Sequence, residues 1–460
     1  MNDLDVAIIG GGPGGYVAAV RASQLGLKVA LVEKENLGGV CLNWGCIPTK
    51  SLLRNAEVIH LLSRNRAFGF KFDNLSVDYG EAHRRSRSVA TRQTKRISIL
   101  MKNHHVALYN GVGRLVSARE VEIEPSGERL TTRNIIVATG ATPRPLPGIP
   151  FDGERVINFR RALELTEVPQ NLLIVGAGPI GMEFATLWSR YGAKVTVVEM
   201  MPHALPLEDE DISTEAERQF KRVGIKVMTS ARVEGITRQE DALSVTVATG
   251  DKKETLSAQK ILASIGFAPN SEDIGLEATG VKTSRGYVEI DERMRTSIPN
   301  IYAIGDVTGK LGLAHVASAQ GMIAAEAIAG RPTHALDYMK IPRCTYAYPE
   351  VASVGVSEKQ AREMGYEVVT SQCPFAANGK ALAMDDNFGF VKLVAETKEK
   401  KVLGVHLIGE HVTELIAGPA GMISVGATAE QLGLTVHPHP TLSEALMEAA
   451  HALMGHAIHI

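Results

Sequence analysis

Short apolar runs alternate with segments of helical periodicity along the chain, and two stretches follow the same plan. Residues 5–34 and residues 171–200 each contain an apolar strand, a glycine turn, a helix and a second apolar strand. Strands that alternate with helices in this way are typical of a parallel sheet. After Arg331 the pattern changes to short alternating strands ("EVASVGVS", "FGFVKLVAE", "KVLGVHLIG") followed by helices. We therefore predict an α/β fold with a separate α+β domain at the C-terminal end.

Both glycine turns have the spacing G-x-G-x-x-G, and an acid ends the second strand 23 residues after the first glycine: Gly10, Gly12, Gly15 and Glu33, then Gly176, Gly178, Gly181 and Glu199. The first glycine allows a tight turn, the second lets the backbone approach a pyrophosphate, and the third lets helix pack on strand. A lone motif of this kind also occurs in ordinary glycine-rich turns. Two complete copies predict two Rossmann-like dinucleotide-binding domains.

The acid of the second copy indicates which nucleotide it prefers. Glu199 would repel a 2′-phosphate, and no arginine follows it closely in "EMMPHALP". If this copy binds a nicotinamide cofactor, we expect NAD rather than NADP. The first copy does not by itself identify FAD. A flavin is favoured because it connects a two-electron dithiol to a hydride acceptor.

Cys41 and Cys46 are two of only four cysteines and lie five positions apart in "GGVCLNWGCIPTK". In a regular helix their Cα atoms would be roughly 8–9 Å apart, whereas a disulfide requires roughly 4.4–6.8 Å. If they bond, the segment is not a regular helix, and Asn43, Gly45 and Pro48 fit an irregular turn that opens one. The alternatives are two buried thiols or zinc. Zinc is disfavoured because no second close ligand pair is evident.

Composition excludes several classes of protein. The chain has 460 residues, 45% hydrophobic residues and a net charge of −2, so it resembles an ordinary globular protein with several domains and no electrostatic preference for nucleic acid. Neither a signal peptide nor a long apolar run is evident, so we expect no membrane association and a cytoplasmic location. Cys344 and Cys373 are expected to be ordinary core residues.

These motifs resemble the pyridine nucleotide–disulfide oxidoreductase family over essentially the whole chain. The resemblance rests on the cysteine segment, both fingerprints, "ATG", "IGDV", "LAHVASAQG", "YPEVASVG" and "HPHPTLSEALMEA". It implies a flavoprotein homodimer that uses FAD and NAD to oxidise dihydrolipoamide carried on the lipoyl domains of 2-oxoacid dehydrogenase or glycine cleavage complexes. The implied domains are an FAD domain (1–147), an NAD domain (148–270), a central domain (271–340) and a dimerisation domain (341–460). Trp44, and the lack of an arginine in "SIGFAPN", depart from the family pattern.

The resemblance also implies roles for individual residues. Cys41 would be the thiol that meets the substrate, and Cys46 would lie against the flavin. Lys50 would place a positive charge near the flavin, with Glu183 as its acidic partner. The plainer interpretations are that Lys50 is a solvated helix residue and that Glu183 is a first-turn acid favoured by the helix dipole.

The terminal motif implies a base, because only a thiolate attacks a disulfide. In the family pattern His439, rather than His437, is the base, Glu444 fixes its tautomer, and the pair serves the other subunit. Two alternatives stand beside this assignment. Thr441 and Glu444 match a capping box, and the terminal histidines could indicate a metal: His437, His439, His451, His456 and His459. The resemblance favours the dyad, and we expect no metal site.

Further cofactor contacts follow from the resemblance alone, and each position could equally serve packing or a turn. On the FAD side they are Gly39, Gly113, Thr139, Gly140, Asp306 and Ala314; on the NAD side they are Val233 and Gly266. Two other functions stay open. The chain could reduce another low-molecular-weight disulfide with the same core, or it could be a non-catalytic redox sensor. A sensor would need neither a base dyad nor two nucleotide sites.

Overall fold

The computed structural model describes residues 4–460 and resolves the predicted alternation into defined elements. The helices are α1 Pro13–Gln24, α2 Gly39–Trp44, α3 Cys46–Ser63, α4 Tyr79–Asn103, α5 Phe159–Glu164, α6 Pro179–Arg190, α7 Glu210–Arg222, α8 Leu276–Thr279, α9 Ala314–Ile328, α10 Glu358–Glu363, α11 Gly379–Ala383, α12 Val412–Leu415, α13 Ala417–Val425, α14 Ala429–Leu434 and α15 Glu444–Leu453. Short 3-10 turns occupy Gly305–Thr308, Tyr338–Lys340 and Phe375–Ala377.

The strands are 2 to 10 residues long, and most fall within the usual range for globular proteins. They are β1 Leu4–Ile9, β2 Val29–Glu33, β3 Ala107–Asn110, β4 Val112–Ser117, β5 Glu120–Glu124, β6 Glu128–Val137, β7 Ala141–Pro143, β8 Val156–Ile157, β9 Asn171–Val175, β10 Lys194–Val198, β11 Lys226–Met228, β12 Ala231–Arg238, β13 Leu243–Thr249, β14 Lys252–Ala258, β15 Lys260–Ala263, β16 Phe267–Pro269, β17 Thr283–Ser284, β18 Tyr287–Val288, β19 Ile301–Ala303, β20 Arg343–Thr345, β21 Glu350–Gly355, β22 Val368–Pro374, β23 Phe390–Glu396 and β24 Val402–Gly409.

The chain forms two compact units. The first contains the described residues up to Leu52 together with Gly80–Arg144 and Gly266–Tyr338. Its sheet has the order β3-β2-β1-β6-β5-β4, with β19 also paired to β6. Strand β1 runs parallel to both β2 and β6. This is the predicted dinucleotide-binding sheet, with the first glycine turn at the carboxyl end of β1.

The second unit contains Leu53–Tyr79, Pro145–Ile265 and the described chain from Met339 onward. The second fingerprint connects β9 and β10 of a parallel sheet of order β11-β10-β9-β15-β8. The next three strands in sequence, β12, β13 and β14, form an antiparallel sheet. An antiparallel sheet of order β20-β21-β24-β23-β22 follows, with helices to the end. The predicted fold class, two Rossmann-like domains and a C-terminal α+β domain, is therefore confirmed.

The two glycine turns have nearly the same geometry. The first glycines, Gly10 and Gly176, have φ of +104° and +105°, a region that side chains rarely adopt. A Cβ on the third glycine would lie 1.9 Å from the Gly10 oxygen in one copy and 2.0 Å from the Gly176 oxygen in the other. A Cβ on the second glycine, Gly12 or Gly178, would meet nothing within 4 Å. The third glycine is thus required for packing, and the second keeps space open outside the turn.

Residues 4–460 include no helix that combines the length and the apolar character needed to cross a bilayer.

Replacing Gly181 by Ala should destabilise the second unit by about 1–3 kcal/mol or more, because the new methyl group must displace backbone atoms. Gly178→Ala is the matched control. It lies in the same turn, its φ of −73° is ordinary, and its Cβ enters open space, so its stability should stay near wild type. Urea unfolding of both variants measures the difference. Equal stability of the two variants would contradict this account of the turn.

Candidate functional site

The cysteine segment consists of two helices that meet at one glycine. Helix α2 ends at Trp44, and α3 begins at Cys46. Between them Gly45 has the non-helical angles φ −141° and ψ −113°. Cys41 and Cys46 form a disulfide whose Cα atoms are 4.7 Å apart. The structure thus contains the irregular turn expected of a bonded pair, and the interpretation as two buried free thiols does not apply.

A buried asparagine holds the disulfide segment in place. The Asn43 side-chain amide donates to the carbonyl oxygens of Leu37 and Gly39, both at 3.0 Å. Its Oδ1 accepts from the Thr94 hydroxyl at 3.0 Å. Arg87, which like Thr94 belongs to α4, donates to the Asn43 carbonyl at 2.7 Å. Its guanidinium carbon lies 4.7 Å from the centre of the Trp44 ring. Helix α4 therefore supports the segment, and Trp44, the departure from the family pattern, has a cationic partner.

Sequence reasoning missed Arg87 and Thr94. They are separated from Asn43 by 44 and 51 residues. The available signal was their spacing of seven, which places both side chains on one face of a helix. That spacing indicates a shared partner but does not identify it.

The two strand-end acids bond to their own glycine turns. Glu33 accepts from the backbone N–H of Gly11 at 2.6 Å and of Glu35 at 2.8 Å. Glu199 accepts from Ala177 at 2.7 Å and from Met201 at 2.8 Å. Two carboxylate oxygens offer about four lone-pair sites, so each acid retains capacity for ribose hydroxyls. Both fingerprints therefore fit a dinucleotide.

Helix N-termini complete the fit. Helices α1 and α6 begin after Gly12 and Gly178, and within residues 4–460 no side chain caps either terminus. Their first N–H groups and the helix dipole favour a phosphate at these positions.

Several predicted FAD-side residues adjoin the first fingerprint. A Cβ on Gly39 would lie 2.8 Å from the Gly12 Cα, and one on Gly113 would lie 3.0 Å from the Ile9 side chain. Thr139 and Gly140 pair with Asn270: the Thr139 hydroxyl donates to the Asn270 carbonyl at 2.6 Å, and the Asn270 N–H donates to Gly140 at 3.0 Å. The segments "ATG" and "FAPN" are thus joined, a link that the sequence did not reveal.

Asp306 and Ala314 both lie in the first unit, in the segments that follow β19. Asp306 is the second residue of the 3-10 turn after β19, and burial raises the pKa of its carboxyl. Among the described residues no donor bonds to that carboxylate, so a hydroxyl of a bound cofactor would satisfy it. Ala314 is the first residue of α9, whose preceding residue Leu313 provides no side-chain cap. Lys50 lies half-buried on α3.

The predicted NAD-side residues divide between the two units. Glu183 and Val233 belong to the second unit with the fingerprint, whereas Gly266 belongs to the first, where it accepts from the Arg144 N–H at 3.0 Å. Glu183 is the fifth residue of α6, so the alternative interpretation as a first-turn acid is wrong. Its buried carboxylate accepts from the Tyr346 N–H at 3.1 Å. Cys373 is buried and Cys344 partly buried, both at the core of the C-terminal sheet, as expected.

The terminal dyad is formed. His439 Nδ1 lies 2.9 Å from Glu444 Oε1, and Glu444 Oε2 accepts from the Thr441 N–H at 2.8 Å. The Thr441 bond, followed by the His439 bond, lowers the pKa of the Glu444 carboxyl. An ionised Glu444 requires the proton of neutral His439 to be on Nδ1, which leaves the Nε2 lone pair as a base.

The other interpretations of this segment are His437 as the base and a capping box formed by Thr441 and Glu444. His437 Nδ1 is directed instead to the Thr435 carbonyl at 2.8 Å. The capping box is only half formed. Ser443 is the N-cap of α15, and the Thr441 hydroxyl contacts Pro438 and Ser443 rather than capping the helix. Glu444 therefore bonds both the turn and the imidazole.

Comparison with known proteins identifies the class. Residues 4–321 match the pyridine nucleotide-disulphide oxidoreductase family, and residues 341–450 match the dimerisation domain of that family. The chain belongs to this family, and its dimerisation domain supports a homodimer.

Several individual proteins resemble this chain over nearly its whole length. The chain is 46% identical over 467 residues to dihydrolipoyl dehydrogenase from Mycobacterium leprae, and 44% identical over 472 residues to that of Bacillus subtilis. These alignments cover all of this chain and 100% and 99% of the relatives. The solved structure of LpdA from Mycobacterium tuberculosis has a TM-score of 0.91 at 30% identity, covering 98% of this chain and 100% of that one. The flavoprotein disulfide reductase RclA from Escherichia coli has a TM-score of 0.86 at 27% identity, covering 97% and 99%.

Asn43→Ala should lower the free energy of unfolding by about 1–3 kcal/mol, because it leaves two carbonyls and the Thr94 hydroxyl without their partner. Thr94→Val removes only one of these bonds and should cost less. Thr91→Val is the control on the same helix, since its exposed hydroxyl bonds only within α4. Chemical denaturation ranks the three variants. An Asn43→Ala protein as stable as Thr91→Val would rule out the proposed support.

Proposed function

We propose that this protein acts as a dihydrolipoyl dehydrogenase, which oxidises protein-bound dihydrolipoamide with NAD. One observation carries the proposal: the Cys41–Cys46 disulfide segment packs against the first nucleotide fingerprint. The Gly38 N–H donates to the Gly11 carbonyl at 2.8 Å, and Gly39 adjoins Gly12. Full-length identity of 43–46% to proteins of that name supports the same function.

FAD would be held by the first fingerprint, Glu33 and the residues assigned to it above, and NAD by the second fingerprint and Glu199. When bound, FAD supplies the two-electron chemistry that links a dithiol to a hydride acceptor. The uncapped start of α9 offers N–H donors suited to negative charge. The resemblance assigns Lys50 and Glu183 to the flavin as cation and acid, and both stay proposals.

The chain's own chemistry is thiol–disulfide exchange. A thiolate of dihydrolipoamide attacks the Cys41 sulfur, and Cys46 leaves as thiolate. The second substrate sulfur then attacks the substrate sulfur of this mixed disulfide, which closes oxidised lipoamide and releases Cys41. The substrate loses two electrons, and the enzyme disulfide gains them. Cys46 is suited to leave because it begins α3, where helix N–H groups stabilise a thiolate.

His439 would act as the base that forms the attacking thiolate. Its Nε2 accepts the substrate proton while Nδ1–H donates to Glu444. We propose that the dyad serves the disulfide of the partner subunit. Two observations support this: residues 341–450 match a dimerisation domain, and the His439 side chain is 78% exposed in the single chain.

The remaining assignments are proposals of the same kind. Residues 1–147 would form the FAD domain, 148–270 the NAD domain, 271–340 a central domain that rejoins the first, and 341–460 the subunit interface. The partners would be lipoyl domains of 2-oxoacid dehydrogenase or glycine cleavage complexes. We place the enzyme in the cytoplasm, because its cysteines are few and its one disulfide is assigned a catalytic role.

Cys46→Ser should abolish NADH formation from dihydrolipoamide, since no leaving thiolate remains, whereas Cys373→Ser should retain it. Lipoamide and glutathione disulfide should be compared in the reverse direction with NADH, because the likeness to RclA allows another disulfide substrate. Substantial turnover by Cys46→Ser would refute the assigned role. Faster reduction of glutathione than of lipoamide would favour the alternative function.

His439→Gln should reduce kcat by about 10²–10⁴-fold, the usual range for loss of a positioned base. The control is His437→Gln, two residues away, which should keep wild-type turnover because its ring bonds only a backbone carbonyl. Similar losses in both variants would overturn the assignment.

A further inference from the structure

Helix α4 contacts the disulfide segment on both sides of the Cys41–Cys46 bond. On the α2 side, Arg87 donates to the Asn43 carbonyl at 2.7 Å, and the Thr94 hydroxyl donates to Asn43 Oδ1 at 3.0 Å. The carbonyl that Arg87 binds is among the last four of α2, which have no partner inside their own helix. These bonds therefore hold the end of α2 without using either sulfur.

A second arginine of α4 contacts α3. One nitrogen of Arg85 donates to the Ser51 hydroxyl at 2.9 Å and to the Ser51 carbonyl at 3.1 Å. Ser51 is buried in the second turn of α3. On α4 the two arginines flank the fully buried Ser86, and successive helix residues point about 100° apart, so each arginine contacts a different helix. Arg85, Arg87 and Thr94 thus form a bridge, the α4 bridge, that joins α2 to α3.

The junction between α2 and α3 needs such a bridge when the disulfide is open. Gly45 interrupts the helical structure with φ −141° and ψ −113°, and a glycine allows many other conformations. Helix α2 has only six residues, too few to be stable by itself in water. Without the bond and without other support, the two cysteines would be free to move apart by rotation at Gly45.

We propose that Arg85 and Arg87 are positioning residues that keep Cys41 and Cys46 close together in the reduced enzyme and so stabilise the disulfide against reduction. The equilibrium of a dithiol depends on the effective concentration of one sulfur at the other, and a segment held in its bonded shape keeps that concentration high. Loss of the bridge gives the reduced segment conformational freedom that the bonded segment cannot gain. The inference rests on the proposed function only for the use of this disulfide in turnover.

The positive charge of the two arginines gives the opposite expectation. A nearby cation stabilises a thiolate, so removing arginines that acted through charge alone would disfavour the dithiol and favour the disulfide. Removing arginines that hold the segment in shape favours the dithiol. The direction of the change in the equilibrium therefore separates the two explanations.

Anaerobic equilibration of the holoenzyme with mixtures of reduced and oxidised dithiothreitol tests the proposal. Reduced dithiothreitol gives two electrons and two protons to the Cys41–Cys46 bond and closes its own cyclic disulfide. Acid quenching, alkylation and mass spectrometry of the peptide with both cysteines then measure the reduced fraction. Arg85→Gln and Arg87→Gln should each lower the equilibrium constant for disulfide formation by about two- to tenfold, the usual effect of one hydrogen bond. The double variant should lower it by about tenfold or more, equivalent to a potential about 30 mV higher.

Arg92→Gln is the matched control, because it removes one positive charge from an exposed position of the same helix and should leave the equilibrium unchanged. Thr94→Val replaces a hydroxyl by a methyl group and removes one bond to Asn43. It should shift the equilibrium in the same direction as the arginine variants, which provides a second test if an arginine variant does not fold.

An unchanged equilibrium constant in the Arg85→Gln/Arg87→Gln double variant would overturn the proposal, as would a shift towards the disulfide or an equal shift in Arg92→Gln. The measurement uses no lipoamide. Its outcome is therefore independent of whether dihydrolipoamide is the substrate, and failure of the proposed function would leave it unaffected.

Discussion

The redox chemistry depends on a single interruption of helical structure. A continuous helix would hold Cα atoms five residues apart at roughly 8–9 Å, and the break at Gly45 brings those of Cys41 and Cys46 to 4.7 Å. A Cβ at Gly45 would lie 3.1 Å from the Val40 carbonyl, so a side chain fits poorly there. The break also makes the two sulfurs unequal, because Cys41 lies within α2 and Cys46 begins α3. A helix N-terminus stabilises a thiolate, and the position of Cys46 as the first residue of α3 supports its proposed role as the leaving sulfur.

The two fingerprints have nearly the same backbone geometry. Their first glycines differ in φ by about 1° and their close approaches by a few tenths of an ångström. In each copy the strand-end acid fastens the glycine turn through an N–H one residue after the first glycine. The acid thus holds the turn in shape and presents lone pairs to a ribose. Substituting it would affect loop geometry and nucleotide recognition together, so the two contributions are not separable by removing the acid alone.

Local features were predictable from the sequence and distant ones were not. The glycine spacing, the strand-end acids and the need for a break between the cysteines follow from geometry over a few residues. The support of Asn43 by Arg87 and Thr94, and the pairing of Thr139 with Asn270 across 131 residues, depend on tertiary packing that spacing does not encode. The same limit explains the half-formed capping box. The pattern around Thr441 satisfies the motif, yet the chain uses Glu444 to hold an imidazole and lets Ser443 precede the helix.

In a single chain, the surroundings of the dyad formed by His439 and Glu444 are incomplete. A base acts well when its partner acid fixes its tautomer, and Glu444 Oε1, 2.9 Å from His439 Nδ1, is placed to do this if His439 is the proposed base. It must also be held beside the proton it removes and shielded from competing water, yet the His439 side chain is 78% exposed. His439 is thus held on one side by Glu444 and exposed on the other, as expected of a residue whose surroundings are completed by a second protein surface. Residues 341–450 match a dimerisation domain, so in the proposed dimer the partner subunit would provide that surface. The proton chemistry would then depend on assembly, whereas the geometry of the disulfide would not.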